Sequence, residues 1–190
     1  MPNFITVNFL PARVEVERSD GGTLVLRSPE VLQPYARCLG EYLERWAIER
    51  PQQIYLAQRA GDEWRTISYA DALRRVQVLA TALMQRGFSA QRPVAILSEN
   101  SIEHALLALA AMHIGVPVVP VSAAYSLMSR DFKKLRAVFS LLTPGMVLVD
   151  DGQRYAQALA ALDDFAFELV VVRNEINAPR ATTNFAALLE

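Results

Sequence analysis

The side chains best able to meet a ligand fall in three short clusters: Ser98-Glu99-Asn100-Ser101, Ser122-Ala123-Ala124-Tyr125-Ser126 and Asp150-Asp151-Gly152. Each follows a short apolar run, respectively Val94–Leu97, Pro117–Val121 and Met146–Val149. Runs of this length between turn signals read as buried strands. In an open parallel sheet, ligands gather beyond the carboxyl ends of the strands. Asn100, Ser122 and Tyr125 are therefore the candidate ligand-edge or subdomain-contact residues. Each cluster also has a plainer structural reading. Asn100 or Ser101 can cap the next helix, and Asp150 and Asp151 can be first-turn acids of the one after. Ser122 and Tyr125 are less fully explained, because a tight connection needs neither hydroxyl.

The constellations that usually carry catalysis are missing. There is no G-x-G-x-x-G and no G-x-x-x-x-G-K-[ST] to cradle phosphate, and no G-x-S-x-G nucleophile elbow. His104 and His113 lie on one expected helix, about 13 Å apart by helical rise, too far to share a metal. His104 reads as a solvated histidine near a helix start, without a visible partner for general-base work. Cys38 is the one cysteine, which excludes an intrachain disulfide and makes a structural zinc site implausible. It reads as a small core residue on a helix face. Lys133 and Lys134 are the only lysines and belong to a helix rather than a strand end. No catalytic, cofactor-binding or metal-ligating residue is assigned.

The elements around these clusters follow from periodicity. Residues 13–28 alternate about Asp20-Gly21-Gly22, so Val14 and Val16 can oppose Leu24 and Leu26 in a hairpin. After Pro34, residues Tyr35, Leu39, Tyr42, Leu43 and Trp46 recur at helical spacing up to Pro51, a stripe expected to pack in the core. Ile54–Gln58 and Trp64–Ser68 flank a turn and read as a second hairpin. Ser68, with Asp71 three positions on, caps a helix carrying Leu73, Val76, Leu79, Ala80 and Leu83. Gly87 and Phe88 supply its C-terminal motif.

From residue 69 the pattern is α-β-α-β-α-β-α-β. Gly115 and Pro117 stop the helix that follows Val94–Leu97, and the prolines of Pro117–Val121 suit an edge strand. Ser129 and Asp131 start a helix striped by Phe132, Leu135, Val138, Phe139 and Leu142. Met146–Val149 is a strand, Gln153–Leu162 a short helix and Glu168–Arg173 a further strand. Residues 174–182 read as a loop, and 184–190 as the start of another helix. Helical connections between short apolar strands imply an α/β fold: a parallel sheet with flanking helices, preceded by the N-terminal hairpin. The expected organisation is a hairpin extension over 1–34 and an α/β subdomain over 35–190, truncated at its C-terminal end. Leu188-Leu189-Glu190 carries no helix-ending signal, from which the natural chain is expected to continue.

Composition narrows the function classes. With 19 basic and 20 acidic residues there is no basic excess for nucleic acid or an anionic membrane. The longest apolar stretch, 105–121, is interrupted by His113, Gly115, Pro117 and Pro120, whereas a membrane helix needs about 20 uninterrupted apolar residues. The N-terminus lacks a basic start followed by a long apolar run. The expected location is the cytoplasm.

Several stretches, in order, resemble the adenylate-forming (AMP-binding) acyl-CoA synthetase superfamily. Trp64-Arg65-Thr66-Ile67-Ser68-Tyr69-Ala70-Asp71-Ala72 is similar to its early "T/S-Y-x-E-L" signature, Val94–Ser101 to its "V-A-I-L-x-x-N-S" strand and loop, and Gly115–Ser122 to the following "G-x-x-x-x-P-x-x". Tyr125–Ser129, Asp131, Lys134-Leu135-Arg136 and Pro144-Gly145 most resemble feruloyl-CoA synthetases, with Ala123 departing from an expected proline. The resemblance covers nearly the whole chain. It implies the N-terminal part of an ATP-dependent acid–CoA ligase, which forms an acyl-adenylate and then a thioester. The complete enzyme would use ATP, Mg2+ and coenzyme A on an aromatic carboxylic acid such as ferulate. The family's "T-S-G-T-T-G"-type phosphate loop, later acidic ribose contact, hinge and C-terminal lysine have no match here. The fragment alone is therefore expected to be inactive and to bind no cofactor.

Two other readings stand beside this one. A free-standing α/β binding module would need a self-sufficient, covered sheet, whereas a subdomain cut from a larger enzyme would expose an apolar face and self-associate through it. A receiver-like signalling domain would need an early acidic pocket and a lysine at a later strand end, and has neither.

Overall fold

The structure, a computed structural model, describes residues 13–176 and 180–190. Residues 1–12, and 177–179 within the loop expected over 174–182, lie outside the described residues. The chain divides into two compact units, Met1–Tyr35 and Ala36–Glu190. In the first, β1 (Glu15–Arg18) pairs antiparallel with β2 (Leu24–Arg27), and Val16 stands opposite Leu26 as the alternation predicts. Gly22 turns the hairpin with φ +78°, a left-handed conformation that costs glycine little.

The second unit is built on a five-stranded parallel sheet ordered β6-β5-β7-β8-β9. Its strands are β5 (Val94–Leu97), β6 (Val118–Pro120), β7 (Met146–Asp151), β8 (Glu168–Arg173) and β9 (Thr182–Asn184). Val94, Ile96, Met146, Leu148 and Val170 point to one face, against α2 (Tyr69–Gln85) and α3 (Ile102–His113). Ala95, Leu97, Val147, Val149, Leu169 and Val171 point to the other, against α5 (Lys133–Leu142) and α6 (Ala156–Ala160). The expected α/β fold is thus observed, and the chain's own helices cover both faces of the sheet. The large exposed apolar side chains lie elsewhere. In this unit they include Leu39, Tyr42 and Ile48 on α1 (Leu39–Glu49), Ile54 and Trp64 on the hairpin of β3 (Ile54–Ala60) and β4 (Glu63–Ser68), Met84 and Leu141 late in α2 and α5, and Met128.

The helix-end signals act as their chemistry requires. Ser68 Oγ accepts the Asp71 amide at 3.2 Å. At the other end of α2, the Gly87 amide donates to Met84 O at 2.9 Å and the Phe88 amide to Leu83 O at 3.1 Å, a Schellman closure with Phe88 buried. Gly115 and Val116 close α3 in the same way on Met112 and Ala111. Both prolines near β6 sit in or beside an edge strand, where a missing amide is tolerated.

Six expectations are corrected. Helix α1 begins at Leu39, because Glu41 takes both the backbone amide and the guanidinium of Arg37 ahead of it. Cys38 is consequently the extended N-cap residue and is exposed rather than core. Of the apolar stripe, Leu43 is buried, but Leu39 and Tyr42 are 60% and 42% exposed. Residues 123–127 form a short helix, α4 (Ala123–Leu127), rather than a polar loop; a five-residue helix shows no readable period and depends on tertiary packing. Ser129 and Asp131 do receive the Phe132 and Lys133 amides, but α5 starts later, after a left-handed Phe132 with φ 51°. The last correction is at the C-terminal end, where no α-helix begins. There, Thr182–Asn184 adds a fifth parallel strand, and a single 3-10 turn over Phe185–Leu188 buries Phe185 and Leu188 in the α2–α3 layer.

Leu148 is fully buried at the centre of the sheet and Leu141 is 83% exposed. Leu148→Ala is expected to destabilise by about 2–5 kcal/mol and Leu141→Ala by less than about 0.5 kcal/mol in urea unfolding. Equal losses would contradict this assignment of the core.

Candidate functional site at the carboxyl edge of the sheet

The chain leaves β5 through α3 toward β6 on one side, and leaves β7 through α6 toward β8 on the other. The carboxyl ends of β5 and β7 are therefore the point where strand order reverses, the usual crevice for a ligand in open α/β sheets. The structure brings two of the three sequence clusters to this crevice. Ser98-Glu99-Asn100-Ser101 leads from β5 into α3, and Asp150-Asp151 ends β7. Tyr125 is on α4 and Ser122 directly precedes that helix, beyond the edge strand. Ser122 makes no side-chain cap, and Tyr125 is half-buried with the Lys134 ammonium 5.7 Å from its ring centroid.

Within the β5–α3 turn, Ser101 is the cap: its Oγ accepts the His104 amide at 3.0 Å. Asn100 is exposed and caps nothing. His104 is partnered, contrary to expectation, with Nδ1 2.9 Å from Ser98 Oγ and 3.3 Å from Glu99 O. Ser98 is buried and its hydroxyl lies 2.8 Å from Glu99 O. This pair holds the turn rather than offering an accessible nucleophile.

The β3–β4 hairpin reaches over the start of α3. Gln58 Oε1 accepts the Ile102 amide at 3.1 Å and Arg65 Nη2 at 2.7 Å. Arg65 also meets both carboxylate oxygens of the buried Glu103, each at 2.8 Å. That bidentate bond raises the Arg65 pKa above its ordinary value, against the opposing effect of desolvation.

At the end of β7 the expectation of helix first-turn acids is corrected: both aspartates are on the strand. Asp151 faces Arg173 across the parallel register. Burial alone would raise its pKa, but hydrogen bonds from the Arg154 amide, Asn174 and Arg173 hold it below the usual range. Asp150 is buried. One oxygen lies 3.6 Å from Arg173 and the other, Oδ1, has no hydrogen-bond partner. Desolvation pushes its pKa up, partly offset by the Arg173 and Arg154 charges. Gly152 is needed beside them, since a Cβ there would stand 2.5 Å from Asn174 O. An exposed ion pair between Glu99 and Arg154 joins the two loops and lowers the Glu99 pKa through its hydrogen bond. Tyr155 is fully buried, its hydroxyl also lacks a partner, and burial and then the Asp150 charge push its pKa up to about 12.

Two clefts open here. A polar one of about 320 Å³ is lined by Gln58, Arg65, Glu103, Asp150 and Arg173 among others. A larger one of about 590 Å³ lies between β3 and α3 and includes Asn100 and His104. Sequence reasoning missed Gln58, Arg65, Glu103, Arg173 and the partnering of His104. Only Arg173 had a legible signal, because aligning the starts of the two expected strands, Met146 and Glu168, puts it opposite Asp151. Among the described residues, no three His, Cys, Asp or Glu stand where they could hold a metal ion.

Residues 43–183 match the family described as AMP-binding enzyme, and the chain belongs to that family. Its fold recurs in coronafacic acid ligase from Pectobacterium brasiliense, with TM-score 0.66 and 17% identity over 80% of this chain and 29% of that one. It recurs in a long-chain-fatty-acid CoA ligase, so described without proof of activity, from Rhodopseudomonas palustris, with TM-score 0.63 and 21% identity over 80% and 36%. It also recurs in the luciferase-like enzyme of the mealworm Zophobas morio, with TM-score 0.67 and 18% identity over 94% and 38%. This chain thus spans between a quarter and two fifths of the length of these structures. No curated protein matches it.

Two outcomes are expected of the site residues. A phenol titrating near pH 10 when unfolded and about 12 when folded keeps its proton longer in the folded state. Its contribution is full below pH 10 and lost as pH rises to 12, on the order of 2 kcal/mol. Tyr155→Phe should flatten urea stability between pH 10 and 12; an unchanged slope would show that this tyrosine is not the group responsible. Arg65→Ala strands the Glu103 carboxylate; because Arg65 is half-exposed, the expected loss is about 1–2 kcal/mol, with partial recovery in Arg65→Ala/Glu103→Gln. No recovery would mean that the pair is not coupled.

Proposed function

We propose that this chain is the N-terminal subdomain of an ATP-dependent acid–CoA ligase that activates an aromatic carboxylic acid of the hydroxycinnamate kind. The observation that carries the reading is the family match over 43–183, on a carboxyl edge whose polar groups are mostly engaged with one another. Enzymes of the family use ATP, Mg2+ and coenzyme A. The residues of this chain do not fit Mg2+–ATP: the sequence has no Ser/Thr/Gly-rich phosphate loop, and Glu99, Glu103 and Asp151 at the carboxyl edge are paired with arginines. The role left to this chain is scaffolding: it rigidifies the crevice at β5 and β7, with Asn100, Ser122 and Tyr125 as contacts to ligand or to a neighbouring subdomain. The fragment, a hairpin extension over 1–34 and a subdomain over 35–190, is inactive alone. It works in the cytoplasm and self-associates through its exposed apolar side chains. No helix among the described residues is long and apolar enough to cross a membrane.

A second reading, a free-standing binding module, is favoured by one observation: both faces of the sheet are already covered. The reading frame beyond codon 190 separates the two. The ligase reading expects an in-frame continuation with a Thr/Ser/Gly-rich loop, and a stop codon there would overturn it. With ferulate, ATP and Mg2+, the chain alone should release no pyrophosphate; measured release would overturn its inactivity.

A further inference from the structure

We propose that the cleft between β3 and α3 is a binding site for a small molecule with a hydroxyl head on an apolar body, the hydroxyl donating to His104 Nε2. The cleft holds about 590 Å³, within the ~300–1,000 Å³ range of small-ligand sites. Asn100, Ser101 and His104 stand at the start of α3, facing Gln58 and Arg59 of β3; Ala108, Leu109 and Met112 line the cleft over the following turns, with Leu56 supplied by β3. Gln58 Oε1 is taken by the Ile102 amide and Arg65, and the Arg59 guanidinium is engaged by Gly61 O at 3.1 Å and lies 5.4 Å from the Trp64 ring centroid. The cleft is therefore polar at one end and apolar over the later turns of α3.

The tautomer of His104 decides which head group fits. Glu99 O can only accept hydrogen bonds, and both the Ser98 hydroxyl (2.8 Å) and His104 Nδ1 (3.3 Å) approach it. The hydroxyl has a single proton, which goes to that carbonyl; its oxygen then accepts from Nδ1, 2.9 Å away. An unprotonated Nδ1 would instead set its lone pair against the carbonyl. The proton is thus on Nδ1, and the neutral ring keeps a lone pair on Nε2. Nε2 has no hydrogen-bond partner among the described residues, while the ring lines the cleft. An acceptor at the end of an apolar cleft calls for a donor. A carboxylate would bring a second acceptor and a desolvation cost. A hydroxyl supplies the proton, and its oxygen can still accept from the exposed Asn100 amide. With the Arg59 guanidinium engaged by Gly61 and Trp64, the cleft is expected to favour the hydroxyl over a carboxylate, and the inference does not depend on the ligase reading.

The test is an NMR titration of the 190-residue chain at pH 8, following the His104 imidazole signal; His113→Gln separates it from the second histidine. The probes are 4-propylphenol, its methyl ether 4-propylanisole, and 4-propylbenzoate. The phenol is expected to give a saturable shift, the ether to bind about tenfold more weakly for want of the donated hydrogen bond, and the benzoate to give no saturable shift over the same range. In His104→Phe, phenol and ether should bind alike, read from the Met112 methyl signal. The proposal is overturned if the phenol does not bind, if the ether or benzoate binds as tightly as the phenol, or if the preference for the phenol survives in His104→Phe. The probe comparison on the unaltered chain decides the matter even if that variant does not fold.

Discussion

Strand β7 has to bury both of its faces. Met146, Val147, Leu148 and Val149 are fully buried, and alternate residues enter opposite cores. Each such side chain contributes about 1.5–3 kcal/mol when removed from water. The gain is realised only if a helix layer covers each face, so α2 and α3 must lie on one side and α5 and α6 on the other. That requirement sends successive crossovers in opposite directions from β5 and β7, and the divergence leaves the crevice at their carboxyl ends. The candidate site follows from core burial.

Ending a doubly buried strand in two aspartates then creates an electrostatic problem at the same place. Asp151 is compensated by the Arg154 amide, Arg173 and Asn174. Asp150, pointing the other way, has only a distant guanidinium and an unpartnered oxygen. The hairpin solves the equivalent problem for Glu103 by bringing Arg65 over α3. The carboxyl edge thus carries closely matched charges that mainly satisfy one another. These contacts fix the positions of the loops that leave β5 and β7.

Much of this was legible in residue order. The period change at residue 94, the cap at Ser68, a cap at Asn100 or Ser101 that the structure gives to Ser101, the glycine closures at Gly87 and Gly115, and the edge position of the proline-flanked β6 all follow from local rules, and all are present. Two of the errors concern segments too short to show a period. Helix α4 and strand β9 have five and three residues, and their conformation is fixed by neighbours far along the chain. The aromatic stripe of α1 shows the opposite failure. Its period is helical, but amphipathicity does not say how much of the apolar face meets a partner, and Leu39 and Tyr42 remain exposed.

By itself, then, the sequence determined the parallel α/β architecture, the location of a polar edge after β5 and β7, and the family signatures, because periodicity, caps and motifs are encoded in neighbouring residues. Only folding brings Arg65 to Glu103, sets Arg173 3.6 Å from the buried Asp150, and turns His104 Nδ1 to Ser98 with no partner for Nε2 among the described residues. The physical reason is range. Hydrogen bonds and charge pairs act over a few ångströms, and residues 38 apart, as Arg65 and Glu103 are, come within that distance only after the strands and helices have buried their apolar faces.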